Sequence, residues 1–279
     1  MDVGHPRTLP SVGLHDIERI LALVHARTGA DFREYRRPMI ERRIVHRMSA
    51  LGCAGANEYV GVLEAEPQEV TRLSRRFTID VSRFFRNAGV FDVLRGDVLP
   101  ALLGRAGGQP LRCWSAGTAS GQEAWSLAIL LEELAAPRAS VLGTDLDPAA
   151  LRNAARGWYS EADLVEAPPA WTERHLEPGP RGFAVSPALR RRVRFLRHDL
   201  MGGTAPVPVR FHLVSCRNVL IYFAPALQRR VLRLLVDALE PGGVLCLGEA
   251  EWPDEETLAR LTTIDRGAKL FARIPEKGR

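Results

Sequence analysis

The chain reads as an α/β protein with a doubly wound, mainly parallel sheet, a small all-α domain in front of it and a small β insertion. Three observations predict this. Residues 111–131 run strand, glycine turn, helix: Leu111 to Trp114 is apolar and extended, Gly117 and Gly121 punctuate the turn, and Ala124, Leu127, Ala128, Leu131 and Leu134 then share one helix face. Strands alternate with helices from there to the C-terminus, as parallel crossovers require. Residues 1–76 carry helical spacing only.

The elements follow in order. Leu14, Ile17, Leu21 and Val24 make one face of a helix over residues 14–28. Pro38 suits the first turn of a second helix, 38–51, whose buried face is Met39, Ile40, Ile44, Met48 and Leu51. Its other face, with Arg42, Arg43, His46 and Arg47, is either a solvated basic surface or a dock for an acidic one. Residues 57–64 and 67–77 are two more short helices. Apolar positions in this unit are few, so it is expected to lean on a neighbour. Residues 77–90 form a linker with an unusual Phe84-Phe85 between Arg83 and Arg86, and a helix over 91–103 follows.

Strands are expected at 111–114, 140–143, 193–196, 211–216, 244–248 and 270–274, with helices at about 122–135, 148–155 and 225–239. Pro241-Gly242-Gly243 reads as a helix stop before the fifth strand. Between Trp158 and Arg192 five prolines and two glycines argue against helix and for a sheet-like insertion, about 160–190.

The composition narrows the class. The 279 residues are 46% hydrophobic and 25% charged, ordinary for a globular protein, with a formal net charge of +5. The four cysteines stand far apart without C-x-x-C, so they read as buried thiols, not metal ligands. No membrane-length apolar run and no signal-peptide core are present, so a cytoplasmic protein without membrane insertion is expected. The glycine spacing is neither G-x-G-x-x-G nor a phosphate loop, which argues against a dinucleotide dehydrogenase.

Ligands of doubly wound sheets lie at the carboxyl ends of the strands, against a helix N-terminus. Asp145, ending the second strand, suits ribose hydroxyls, while Asp147 before Pro148 reads as a helix cap. Glu123 in the first helical turn either complements the helix dipole or meets a ligand cation. Asp199 and Leu200 end the third strand and suit an adenine ring.

Taken together these segments resemble the CheR family, the chemotaxis-receptor glutamate O-methyltransferases. Trp114-Ser-Ala-Gly-Thr-Ala-Ser-Gly-Gln-Glu123 is similar to that family's W-S-A-G/A-x-S-x-G-E-E, Thr144-Asp-Leu-Asp147 to its T/S-D-I-D, and Ser215-Cys-Arg-Asn-Val-Leu-Ile-Tyr-Phe223 to its F-C-R-N-V-x-I-Y-F. Phe84-Phe85-Arg86 matches its T-x-F-F-R. The resemblance spans essentially the whole chain. It implies a Rossmann-like S-adenosylmethionine-dependent methyltransferase domain over 91–279, a linker at 77–90 that contributes to the cofactor site, and a receptor-facing helical domain over 1–76. It places the cofactor at Asp80, Ser82, Arg86, Ala116, Gly117, Glu123, Asp145, Asp199, Leu200, Arg217 and Asn218, with S-adenosylhomocysteine as product. It gives Arg86 and Tyr222 catalytic roles, and puts the receptor's methylation helices against Arg42, Arg43 and Arg47. No metal is implied.

The chain departs from the family pattern at several positions. Gln122 replaces a Glu, Ala124 and Trp125 replace Pro and Tyr, Asp80 and Ser82 replace Asn and Thr, and Gly248-Glu-Ala-Glu251 stands for G-H-S-E. Val165 to Leu189 is a few residues short of members that capture a receptor's C-terminal pentapeptide, so that tether is not expected. The expected protein is a monomer that binds no nucleic acid, because its basic residues concentrate on one short helix without a stacking platform. A relative that binds the cofactor but methylates nothing is the alternative.

Overall fold

A computed structural model describes residues 12–78, 82–180 and 182–275. The chain divides into two compact units, Met1–Ile79 with Tyr222–Leu227, and Asp80–Ile221 with Gln228–Arg279.

The first unit holds α1 (Leu14–Thr28), α2 (Arg37–Leu51), α3 (Ala56–Ala65) and α4 (Pro67–Phe77). Gly29 and Gly52 end α1 and α2 in the left-handed conformation, with φ of 73° each. Pro38 and Pro67 open α2 and α4, where a missing N–H costs nothing. The expectation that this unit leans on another segment is met by residues from far along the chain. Ile20, Val24, Ile44, Met48, Tyr59, Val70, Leu73 and Phe77 are fully buried and close a core of their own. A distant segment completes that core. Tyr35 bridges Phe223 in antiparallel fashion, Ala224 N–H donates to the Glu34 carbonyl, and the rings of Tyr35 and Phe223 meet edge to face at 5.0 Å.

One polar group sits inside this unit. Glu69, buried on α4, accepts Arg47 Nε at 2.8 Å and a terminal Arg47 nitrogen at 2.6 Å, and Tyr59 Oη donates to the same carboxylate at 3.0 Å. Burial beside that carboxylate pushes the Tyr59 hydroxyl far above its ordinary range.

The second unit opens with one long helix in three parts: α5 (Ala88–Val93), a π turn at Leu94–Val98, and α6 (Leu99–Ala106). It starts earlier and ends later than the expected 91–103. Pro100 explains the π turn, since the wider ring removes the clash of a proline with the carbonyl four residues back. Then come β1 (Arg112–Ala116), α7 (Gln122–Glu133), β2 (Ser140–Asp145), α8 (Pro148–Arg156), β3 (Trp158–Tyr159), α9 (Pro169–His175), β4 (Leu176–Gly179), β5 (Gly182–Val185), α10 (Pro187–Arg190), β6 (Val193–Arg197) and β7 (Phe211–Cys216). The chain closes with α11 (Pro225–Asp237), β8 (Leu239–Leu247), α12 (Glu255–Leu258), β9 (Leu261–Asp265) and β10 (Leu270–Arg273).

The main sheet has the order β6-β2-β1-β7-β8-β10-β9. Strands β6 to β8 of that order are parallel, and β10 runs against both its neighbours. From β1 the chain winds first toward β6 and then, from β7, toward β9, so the switch point lies between β1 and β7. Buried Leu111, Cys113, Leu127, Leu131, Leu213 and Val244 belong to the core around it. All four cysteines are free and buried, and burial pushes the Cys113 and Cys246 thiols up to about 12.

The insertion is a three-stranded antiparallel sheet, β3-β5-β4, as the sequence suggests. The expectation that its prolines exclude helix is overturned. Pro169 and Pro187 occupy the first turns of α9 and α10, where proline initiates helices. Pro241-Gly242-Gly243 lies inside β8, not before it. The stop falls earlier because the buried Arg273 guanidinium caps α11, donating to the carbonyls of Val236, Asp237 and Leu239.

Glu69→Ala leaves a half-buried guanidinium and a buried hydroxyl without their carboxylate. It is expected to cost about 3 kcal/mol in urea unfolding followed by circular dichroism. Replacing Arg47 and Glu69 together by Met should recover most of that loss.

Candidate active site

The parallel strands bring their carboxyl ends together at the switch point. After β1, Gly117 turns the chain at φ 72°, and its N–H and that of Thr118 both donate to the Thr144 carbonyl, at 2.8 and 2.9 Å. A Cβ on Gly117 would stand 2.5 Å from Val219 Cγ2, so the turn presses directly on the loop after β7. Gly121, at φ 92°, starts α7 against Ala154, where a Cβ would come within 2.7 Å of the alanine Cβ.

Glu123 stands in the first turn of α7. Its Oε1 accepts Ser115 Oγ at 2.7 Å, and its Oε2 faces an Arg217 terminal nitrogen at 3.5 Å. Arg217 follows β7 and is buried. Its other terminal nitrogen donates to the Arg86 carbonyl at 2.7 Å and to Asn87 Oδ1 at 3.1 Å, and its guanidinium lies 5.3 Å from the Phe91 ring centroid. Its Nε finds no partner among the described residues.

Asp145 ends β2. Its Oδ2 accepts the Ala119 N–H at 2.8 Å and its Oδ1 the Asp147 N–H at 2.9 Å. A carboxylate oxygen can accept more than one hydrogen bond, so a hydroxyl donor suits this position chemically. Asp147 is the cap of α8, accepting the Ala149 N–H at 2.7 Å, as its place before Pro148 suggests. The end of β6 joins this row through His198 N–H, which donates to the Asp145 carbonyl at 3.0 Å. Asp199 caps the short turn Leu200–Gly202, and Leu200 is buried beside it.

The linker is well fixed. Phe84 N–H donates to the Asp163 carbonyl and Phe85 N–H to Ser126 Oγ, both at 2.9 Å. Phe85 adopts φ 54° between Phe91 and Trp171. Ser82 and Arg86 are half-buried. Asp80 lies outside the described residues.

Ala116, Gly117, Glu123, Asp145, Asp199, Leu200, Arg217 and Asn218 therefore share the carboxyl edge of adjacent strands. Tyr222, Arg42, Arg43 and Arg47 belong to the first unit. There Arg42 is exposed. Arg43 is half-buried, and burial together with Arg42 and Arg76 lowers its guanidinium pKa. Arg47 is half-buried, with its Nε and one terminal nitrogen committed to Glu69. Tyr222 gives its carbonyl to Arg36 N–H at 2.8 Å.

Sequence reasoning did not single out Ser115, Asn87 or Glu251. Glu251 is buried and accepts five backbone N–H groups, from Asn218, Val219, Leu220, Ile221 and Gly248. Gln122 gains a reason, because its amide nitrogen donates to Asp163 Oδ1 at 3.1 Å. Among the described residues no three His, Cys, Asp or Glu side chains cluster as metal ligands. None of the described helices is long and apolar enough to cross a membrane.

The residue types at this edge suit a ribose and a cation: an acid ends β2, a second acid opens α7, and a glycine turn follows β1. Comparison with known proteins agrees. The CheR methyltransferase SAM-binding domain matches residues 80–265, and the CheR methyltransferase all-alpha domain matches residues 15–78. The chain is 34% identical over 226 residues to a chemotaxis protein methyltransferase of Listeria monocytogenes, covering 80% of this chain and 84% of that one. It is 30% identical over 252 residues to the chemotaxis protein methyltransferase Cher2 of Pseudomonas putida, covering 86% and 91%. It also matches an uncharacterized 104.1 kDa protein of Rhodobacter capsulatus, 32% identical over 239 residues, with 84% of this chain spanning 25% of that protein. With both family domains in sequence and relatives matched over most of their length, the chain belongs to the CheR methyltransferase family and is an S-adenosylmethionine-dependent methyltransferase.

Proposed function

We propose that the protein methylates glutamate side chains on the cytoplasmic helices of chemotaxis receptors, giving glutamate methyl esters and S-adenosylhomocysteine. The relatives named as chemotaxis methyltransferases support the setting. The observation that carries the reading is that Asp145 at the end of β2 and Glu123 in the first turn of α7 flank the Gly117 turn that follows the neighbouring strand β1.

S-adenosylmethionine, when bound, supplies a methyl group on a sulfonium, which a carboxylate can accept directly. A glutamate is already ionised at neutral pH, so no strong base is needed and alignment is the main task. Asp145 holds the ribose hydroxyls. Glu123 faces the cofactor's cationic end, itself oriented by Ser115 and Arg217. Following the resemblance, Arg86 and Tyr222 serve the incoming carboxylate. Arg42 and Arg43 on α2 meet the acidic surface of the receptor helix, the exposed Arg42 first. The reading includes a monomer working in the cytoplasm.

The departure at Gln122 does not favour a silent relative. Its amide serves Asp163 in the insertion, and Glu123 keeps its own partners.

The test uses S-adenosylmethionine labelled in the methyl group and a purified receptor cytoplasmic fragment. Label that enters the fragment and is released as methanol by alkali is the expected result. No incorporation, or alkali-stable label, would sink the reading. Tyr222→Phe is expected to slow transfer at least tenfold with S-adenosylhomocysteine affinity within about twofold, as loss of one orienting hydrogen bond implies. Asp145→Ala should weaken calorimetric binding of S-adenosylhomocysteine roughly 10- to 100-fold, the loss of charge-assisted bonds to a diol. An unchanged Kd would remove Asp145 from the site.

A further inference from the structure

Behind the loop that follows β7 stands a carboxylate with no role in the site as described so far. Glu251 is 4% exposed. Its Oε1 accepts the N–H groups of Val219 at 2.8 Å, Leu220 at 2.7 Å and Ile221 at 3.4 Å. Its Oε2 accepts those of Asn218 at 3.0 Å and Gly248 at 2.6 Å. Four consecutive N–H groups thus converge on one side chain. Asn218 sits at φ 61° and the short turn Leu220–Tyr222 begins just after it, the backbone geometry that makes an anion-binding nest. In this chain the anion is supplied internally.

The clamp has no slack. A Cβ on Gly248 would lie 2.6 Å from Asn218 N and 2.7 Å from Glu251 Oε2. Val219, one of the clamped residues, is also the wall against which Gly117 turns, at 2.5 Å from the place a Cβ would occupy there. The position of the loop after β7 is therefore transmitted to the glycine turn after β1.

We propose that Glu251 is a positioning residue of the cofactor site, whose ionised carboxylate fixes the Asn218–Ile221 backbone and so sets the spacing between Asn218 and the Gly117 turn. It acts through these two loops and not as a ligand contact. Burial pushes its carboxyl above the ordinary range while the backbone donors pull the other way.

Glu251→Gln tests the idea. The amide keeps the shape but removes the charge and turns an NH2 toward N–H donors. Binding of S-adenosylhomocysteine is measured by calorimetry well below the melting temperature, with melting followed in parallel. Leu102→Ala, a cavity in α6 away from both loops, is the control for stability alone. The expected result is a Kd raised roughly tenfold or more in Glu251→Gln, the scale of a lost charged hydrogen-bond set, and a Kd within twofold of wild type for Leu102→Ala. Gly248→Ala wedges the same clamp from its other side and should weaken binding as well. A wild-type Kd in Glu251→Gln overturns the proposal, and so does an equal loss in Leu102→Ala. If Glu251→Gln does not fold, Gly248→Ala decides, and folded protein with unchanged affinity overturns it.

Discussion

A buried guanidinium must have its charge balanced and its donors used, and Arg217 imposes that requirement on the carboxyl edge of the main sheet. Removing such a cation from water costs several kcal/mol unless partners replace the solvent. Here the partners come from two other parts of the second unit. Glu123 opens α7, and the Arg86 carbonyl and Asn87 side chain close the linker. One side chain thus ties the end of β7 to the helix after β1 and to the segment before α5. The backbone around it accepts unusual conformations, Phe85 at φ 54°, Asn87 at φ 62° and Asn218 at φ 61°. Such residues persist where their surroundings over-determine them. Phe85 fits that condition, with its N–H on Ser126 and its ring between Phe91 and Trp171.

The same edge separates charge by function. Arg217 is neutralised from within by Glu123, whereas the Asp145 carboxylate takes the N–H groups of Ala119 and Asp147 at the end of β2. The glycine turn between them brings the backbone close enough to shape the pocket without side chains. Gly117 is held by Val219 and Thr144 rather than by its own bulk. Fixed loops suit a reaction whose main demand is alignment, since little is gained from groups that must reorganise as the methyl moves.

Much of this was legible in the chain because it is local. Strand, turn and helix follow one another within twenty residues around Gly117, and Asp147 declares itself as a cap by its place before Pro148. What escaped depends on partners far along the chain. β9 is an edge strand with three exposed residues in its middle, so it lacks the alternating pattern of a half-buried strand. Arg47 reads as part of a basic face until Glu69, on another helix, is seen to take it inward. The helical unit looked short of apolar residues because Phe223 and its neighbours reach it from the other end of the sequence. In the insertion, prolines carry two meanings, and only the backbone distinguishes a breaker from the first turn of α9 or α10.

The motif departures obey the same logic of partners. In Gly248-Glu-Ala-Glu251 the middle two residues are exposed, while Gly248 and Glu251 form the clamp on the loop after β7. Variation falls where a side chain meets water and spares the positions that meet backbone. At Gln122 the argument runs through charge. Asp163 already accepts Ser160 N–H and Oγ on one oxygen and the Gln122 amide on the other. A glutamate at 122 would set a second carboxylate against it, partly buried and without a cation among the bonds seen there, which is costly. The amide instead links the start of α7 to the insertion, and Phe84 N–H joins the same segment through the Asp163 carbonyl. In this chain the amide at 122 therefore suits the acid at 163 and leaves Glu123, one residue on, facing Arg217.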